Sequence, residues 1–196
     1  MGLREKKAAR TRERIRHEAV KLFSRRGYEA TTVEQIAEAA EVGTSTLYRF
    51  YPTKDSILLR HMPNLLLAPT LRKRFATHPD EELGLALGHA IYDTAASGWN
   101  REVLVIRDIL DRSPGPRARL WDTVEEERTQ LAEVIAERVG KAPSDTWVVF
   151  TAWAALLVWS MAADAWRANP DALSPGKVAE QIISQLAGND VVIPRL

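Results

Sequence analysis

The sequence predicts an all-α protein: a small N-terminal three-helix unit carrying a helix-turn-helix, residues 1–60, followed by a larger helical body, residues 61–196. Three observations carry that expectation. Apolar residues recur at helical spacing from Ile15 onward, no strand-like alternation follows residue 60, and turn residues cut the rest of the chain into helical lengths. With 45% hydrophobic residues among 196, the chain can bury one core of usual size and a small appended one.

Ile15, Ala19, Leu22 and Phe23 fall at i, i+4, i+7 and i+8 and make the apolar stripe of a first helix, with Arg12, Arg16, Lys21 and Arg25 on its other faces. Gly27, after the basic pair Arg25-Arg26, is its stop. Thr31 and Thr32 each offer an N-cap, with Glu34 and Gln35 three residues later in capping-box register. Val33, Ile36, Ala37 and Ala40 are the apolar face of the short helix that follows. Beyond Glu41, Val42 and Gly43, the segment from Thr44 to Tyr51 is too short to be helical unless packed. Ala37, small enough for close helix approach, and Leu47, ten residues on, bracket a tight turn at the spacing of a helix-turn-helix. That arrangement leaves Thr44, Ser45, Thr46 and Arg49 facing outward, with hydroxyl and guanidinium groups suited to base edges. Phe50 and Tyr51 are expected to pack. Pro52 ends the helix and Thr53 caps a fourth, with Lys54 in its exposed first turn, where free N–H groups attract an anion.

In the body, His78-Pro79-Asp80, Ser97-Gly98, Ser113-Pro114-Gly115-Pro116, Gly140-Lys141-Ala142-Pro143 and Asn169-Pro170 mark helix ends, and Pro63 and Pro69 predict a bend or break after helix four. Asp145 to Arg167 is apolar nearly all round, with Trp147, Trp153, Trp159 and Trp166 in different helical directions, so a helix buried on several sides is expected. Its small residues, among them Ala155 and Ala162, would admit a partner helix. After Ser174-Pro175, Val178, Ile182, Ile183 and Leu186 form another stripe. The last two helices read as a dimer interface holding Ala155, Ala162, Val178, Ile182 and Leu186. For a mainly apolar effector pocket the candidates are Tyr92, Trp99, Arg107, Trp121, Phe150 and Trp153. Each is open to a plain core or surface reading, and Arg107 can pair with Asp111 at i, i+4.

Charge is unevenly spread. Residues 1–60 carry 13 Lys and Arg against 8 Asp and Glu, net +5, and residues 61–196 carry 14 against 18, net −4. A basic segment on an acidic chain suits a polyanion. With no cysteine there is no disulfide, zinc-thiolate site or thiol nucleophile, which fits a cytoplasmic location. The basic N-terminus lacks the apolar stretch of a secretory signal. The run from Trp147 to Ala163 reaches only the lower limit of a bilayer span and holds Thr151 and Ser160, so a buried helix is expected. Histidines 17, 61, 78 and 89 are scattered outside any metal-binding or nucleophile motif, so neither an enzyme nor a metal or cofactor is expected.

The run from Ile15 to Leu58, in particular LFSRRGYEATTVEQIAEAA and TLYRFYPTKDSIL, resembles the DNA-binding domain of the tetracycline-repressor (TetR) family. The resemblance implies that Thr32, Tyr48 and Lys54 contact phosphates and that Thr44, Ser45, Thr46 and Arg49 lie nearest the bases. It implies a homodimer joined by a four-helix bundle of the last two helices, a palindromic operator and a small-molecule effector, apolar or amphipathic, acting on a repressor. Two positions depart from the family pattern. Glu41 stands at a turn position where Gly is frequent, at roughly 1 kcal/mol if φ is positive there, and Ser45 replaces a frequent Gly in the recognition helix. The body further resembles, by pattern only, actinobacterial-style TetR proteins whose sensor domains accept long apolar or acyl-thioester molecules. A helical protein–protein adaptor, using the basic end on an acidic partner, is the competing class.

Overall fold

The computed structural model describes residues 2–59 and 67–188, and all regular structure among them is helical. The chain divides into two compact units, Met1–Met62 with Asn100–Thr123 and Pro63–Trp99 with Val124–Leu196. In that division residues 100–123 pack with the N-terminal helices.

In the first unit, α1 (Leu3–Arg26) buries Ile15, Ala19, Val20 and Phe23 and ends at Gly27, whose φ of 86° is left-handed. There glycine avoids the Cβ clash that any other residue would meet. The cap of α2 (Val33–Ala39) is Thr32, whose hydroxyl accepts from Gln35 N at 3.3 Å while Gln35 Oε1 accepts from Thr32 N at 3.1 Å. Thr31 is buried instead and donates to the Gly27 carbonyl at 2.8 Å. Next come α3 (Thr44–Phe50) and α4 (Lys54–Leu59), the latter capped by Thr53 through Ser56 N at 3.2 Å. Leu47, Tyr51, Ile57 and Leu58 are fully buried, and the Tyr51 hydroxyl donates to the Arg12 carbonyl at 3.2 Å.

The helix α7 (Arg101–Arg112) lays Ile106, Ile109 and Leu110 into the same unit. Arg16 corrects the sequence reading: it is buried, not on an outer face, because its guanidinium joins Glu13 on its own helix and Glu102 on α7, the latter at 2.5 Å. Arg119, early in α8 (Pro114–Val139), lies 3.8 Å from Asp55, which also accepts from the Tyr28 hydroxyl.

The second unit holds α5 (Leu67–Thr77), α6 (Leu83–Gly98), the remainder of α8, α9 (Thr146–Ala168) and α10 (Pro175–Ala187). Pro69 stands third in α5, where a missing N–H loses no helical bond; Pro63 lies outside the described residues. The Glu127 carboxylate accepts from Ala68 N at 2.7 Å, in the first turn of α5. α10 packs on α6 and α9 at close range, since a Cβ on Gly176 would stand 3.0 Å from the Tyr92 ring.

α9 differs from expectation. One face, Val148, Ala152, Ala155, Leu156, Trp159, Ala162 and Trp166, is buried. Phe150, Trp153, Leu157 and Met161 are 54%, 41%, 61% and 40% exposed. At about 100° per residue those four fall within an arc of about 80° opposite the buried face. The helix is long and apolar enough to cross a membrane by length and composition. Within a single chain it is buried on one side, not on several.

Candidate nucleic-acid interface

The α2–α3 turn is held by Val42 N donating to the Ala37 carbonyl at 2.9 Å and Glu41 N to the Glu38 carbonyl at 3.0 Å. Glu41 adopts φ 51°, alone in that region among described residues other than glycine. A side chain thus sits where the backbone favours glycine, and the turn tolerates it because the flanking hydrogen bonds define it. With Leu47 and Tyr51 anchoring its inner side, α3 presents Thr44, Ser45, Tyr48 and Arg49 to solvent, and Thr46 is half-buried. Tyr48 is 47% exposed, so its ring is not core. Arg49 lies over the Phe50 ring at 5.1 Å, and Arg12 over the same ring at 6.0 Å, which gathers two guanidinium groups beside the helix. Thr32 is exposed at the head of α2.

Lys54 is the departure on this face. It is half-buried, not free at a helix start: its Nζ donates to the carbonyls of Tyr28 at 2.9 Å and Thr31 at 3.1 Å and lies 4.1 Å from the centre of the Tyr28 ring. Two of the three ammonium donors are thereby used to hold the α1–α2 loop. Burial, first, and the Asp55 carboxylate, second, push the Tyr28 hydroxyl far above its ordinary range, so it stays a donor.

The six effector candidates divide between the two units. Arg107 is 3.3 Å from Asp111, the surface pairing open to it from sequence, and Trp121 is 66% exposed; both belong to the first unit. In the second, Phe150 and Trp153 face solvent on α9, and Tyr92 packs against Gly176. Only Trp99 is buried, its ring centre 5.4 Å from Trp159 and 5.7 Å from Trp166. Sequence reasoning passed over those two partners, although a spacing of seven puts both on one side of α9. An open groove of about 690 Å³ between α5 and α6 is lined by Thr70, Lys73, Arg74, Asp93 and Ser97 among others, and holds none of the six. Ala155, Ala162 and Val178, expected at a dimer interface, are buried within the unit, and Ile182 and Leu186 are half-buried.

A helix-turn-helix with exposed hydroxyl and guanidinium groups on its second helix, joined to a separate helical body, defines the class of helix-turn-helix regulatory proteins. Residues 15–60 match the family of bacterial regulatory proteins described as tetR family, and residues 90–189, just over half of the chain, match the MftR C-terminal domain. The chain belongs to the TetR family. It is 33% identical over 147 residues to the transcriptional regulator TcmR of Streptomyces glaucescens, covering 71% of this chain and 65% of that protein. It is 44% identical over 55 residues to HbdR of Aromatoleum, covering 28% of this chain and 24% of that protein. These matches span less than two thirds of the curated relatives. Among solved structures, NalD of Pseudomonas aeruginosa, the secondary repressor of the MexAB-OprM multidrug efflux pump, aligns over 93% of this chain and 96% of its own with TM-score 0.65 at 17% identity. FadR of Bacillus subtilis, in complex with stearoyl-CoA, aligns over 89% and 96% with TM-score 0.58 at 15% identity. At such identities the likeness is one of fold.

Proposed function

We propose that the protein is a cytoplasmic, non-enzymatic transcriptional repressor that binds palindromic operator DNA as a homodimer and is released by an apolar or amphipathic small molecule held in the helical body. The observation that carries the reading is the outward face of α3, Thr44, Ser45, Tyr48 and Arg49, held by a buried Leu47 and Tyr51 within a matched TetR head. Thr44, Ser45, Thr46 and Arg49 read base edges, and Thr32 and Tyr48 hold phosphates. Lys54 acts on the backbone in a second way, by fixing the loop that presents Thr32 and by adding positive charge beside it. The partner subunit docks on the exposed stripe Phe150, Trp153, Leu157 and Met161 of α9 together with the outer side of α10. An apolar face of that kind, paired about a two-fold axis, suits a symmetric operator.

The test is a titration of the full-length protein on operator fragments selected from the source genome and on random duplex, at several salt concentrations. Arg49→Ala is expected to lose roughly 1–3 kcal/mol on the operator and little on random DNA. Lys54→Ala is expected to weaken both alike and flatten the salt dependence. Salt-independent binding, or loss of preference with Lys54→Ala but not Arg49→Ala, refutes the assignment.

A further inference from the structure

α1 is longer than the core of its unit requires. Its buried residues begin at Ile15, so the stretch from Leu3 to Arg14, about 18 Å of helix, holds no buried residue. Arg4, Lys6, Lys7, Arg10, Arg12 and Arg14 stand on that stretch, all exposed. Residues 1–14 carry six Lys and Arg against two Glu, net +4, and residues 15–60 carry seven against six, net +1. The match to the tetR family begins at residue 15, so most of the positive charge of the head lies ahead of the family's segment.

Other surface cations are matched by acids one turn away, as Lys21 is by Glu18, Arg112 by Asp108 and Lys177 by Glu180. Arg4, Lys6, Lys7 and Arg10 form no ion pair among the described residues, because Glu5 accepts from Gly2 N at 2.8 Å and Glu13 is drawn to Arg16. Lys6, Arg10 and Arg14 form an i, i+4, i+8 row with Lys7 beside it, and like charges at that spacing destabilise a helix. A polyanion laid along the row relieves the repulsion and releases its own counterions. The base of the extension is seated against the helix-turn-helix. The Tyr51 hydroxyl donates to the Arg12 carbonyl at 3.2 Å, and the Arg12 guanidinium lies 6.0 Å from the centre of the Phe50 ring, which Arg49 covers at 5.1 Å. Arg14 stands 3.9 Å from Glu41. The extension thus touches both the turn that precedes α3 and the ring that ends it.

We propose that the α1 extension, through Arg4, Lys6, Lys7 and Arg10, is a second DNA-binding surface, which grips the phosphate backbone beside the stretch held by α2 and α3 and reads no bases. The proposal rests on the reading of the head as an operator binder and adds a sequence-independent grip to it. At 100° per residue the four cations spread over an arc of about 160°. That breadth suits charge laid against a backbone and not the bidentate geometry that one base pair demands. From Arg4 to Arg10 is about 9 Å of helix, the rise of two to three base pairs. An anionic membrane would require apolar side chains to insert beside the cations, and Leu3 is the extension's only large one.

Two variants of the full-length protein test the surface. Arg4→Gln, Lys6→Gln, Lys7→Gln and Arg10→Gln together remove the charge and keep good helix formers; Arg4→Lys, Lys6→Arg, Lys7→Arg and Arg10→Lys together keep the charge and change every headgroup. Each is titrated beside the wild type on operator fragments selected from the source genome and on random duplex at several salt concentrations. The glutamine variant is expected to lose about two to three phosphate contacts per subunit from the slope of log affinity against log salt, at about 0.9 each. Its low-salt affinity should fall at least roughly tenfold on both duplexes alike, with the preference for operator unchanged. Hydroxyl-radical footprints should lose backbone protection, and the charge-retaining variant should match the wild type throughout. A wild-type slope in the glutamine variant, a loss confined to the operator, or a charge-retaining variant as weak as the glutamine one overturns the surface. Capture of the wild type by phosphatidylserine vesicles, with the duplex slope unmoved by the glutamines, overturns it in favour of a membrane. The same titrations separate the two readings. A protein that prefers operator but whose slope ignores the glutamines loses this surface and keeps its regulatory role. One that binds all duplexes alike, with its slope carried by the extension, keeps the surface and loses the operator; binding to no duplex overturns both.

Discussion

Arg16 offers the sharpest test of how the DNA-reading unit is held. It is 8% exposed on α1, hydrogen-bonded to Glu13 through Nε at 3.2 Å, with a second nitrogen 2.5 Å from Glu102 in the first turn of α7. Burial by itself disfavours the guanidinium charge, and the hydrogen bonds and charges of Glu13 and Glu102 outweigh it, so the pKa of Arg16 is raised. Arg16→Met removes the cation and keeps the aliphatic stem; Glu102→Gln removes the charge and keeps the shape. A fully buried pair loses about 3–5 kcal/mol when one partner is deleted. The Glu102 side chain, however, is 31% exposed and can rehydrate, and Glu13 remains beside Arg16. The figure suited to this pair is therefore that of a hydrogen bond to a charged group, about 1.5–3 kcal/mol, at its lower end. Urea unfolding of wild type, both single variants and the double variant should give a coupling energy of about 1–2 kcal/mol that is little screened by added salt. Single effects that add to within about 0.5 kcal/mol would show that α1 and α7 are joined by apolar packing alone.

Three other outcomes follow from the same structure. Glu41→Gly should stabilise the protein by about 0.5–1 kcal/mol, because Glu41 sits at φ 51° and its contact with Arg14, at 3.9 Å on the surface, contributes little; calorimetry should find Tm raised by about 1–4 °C, and an unchanged Tm would count against strain at the turn. Glu127 has a folded pKa raised above its ordinary 4.5, mainly by burial, so its contribution to stability is complete below that value and lost as pH rises through the raised one. Glu127→Gln, with no proton to lose, should gain on the wild type as pH increases; parallel stability–pH curves would show that this carboxyl is solvated. Leu157→Glu places a charge on the exposed stripe of α9 with little effect on the protomer's own core, since Leu157 is 61% exposed. Light scattering should then report a monomer where the wild type is dimeric, with helical content preserved, and a dimer in the variant would move the interface elsewhere.

Helix positions and ends were legible in the sequence because they are short-range events. The stop at Gly27, the Thr32–Gln35 box, the Thr53 cap and the Pro and Gly breaks that part the later helices each depend on residues within one turn. The Glu41 turn was flagged only through the family resemblance, as a residue standing where Gly is frequent, and the structure gives it φ 51°. The outward side of α3 was readable too, since Leu47 and Tyr51 commit the opposite side to the core.

What only the tertiary structure decided concerns partners distant in the chain. Lys54 reads as a free cation in a first turn, and becomes a clamp on the Tyr28 and Thr31 carbonyls once α4 packs beside α1. Arg16 is one of several basic residues on α1 until Glu102, far along the chain, draws it inside. In α9 nearly every side is apolar, so periodicity could not say which side turns inward. Packing against α6 and α10 chose Trp159 and Trp166 and left Phe150 and Trp153 in solvent. By itself the sequence marked where turn residues break the helices, because capping, turn chemistry and amphipathic period act within a few residues, and its motif from Ile15 to Leu58 carried the resemblance to a TetR reader. Which apolar side is core and which cation is buried were settled by contacts across tens of residues, which only the folded chain creates.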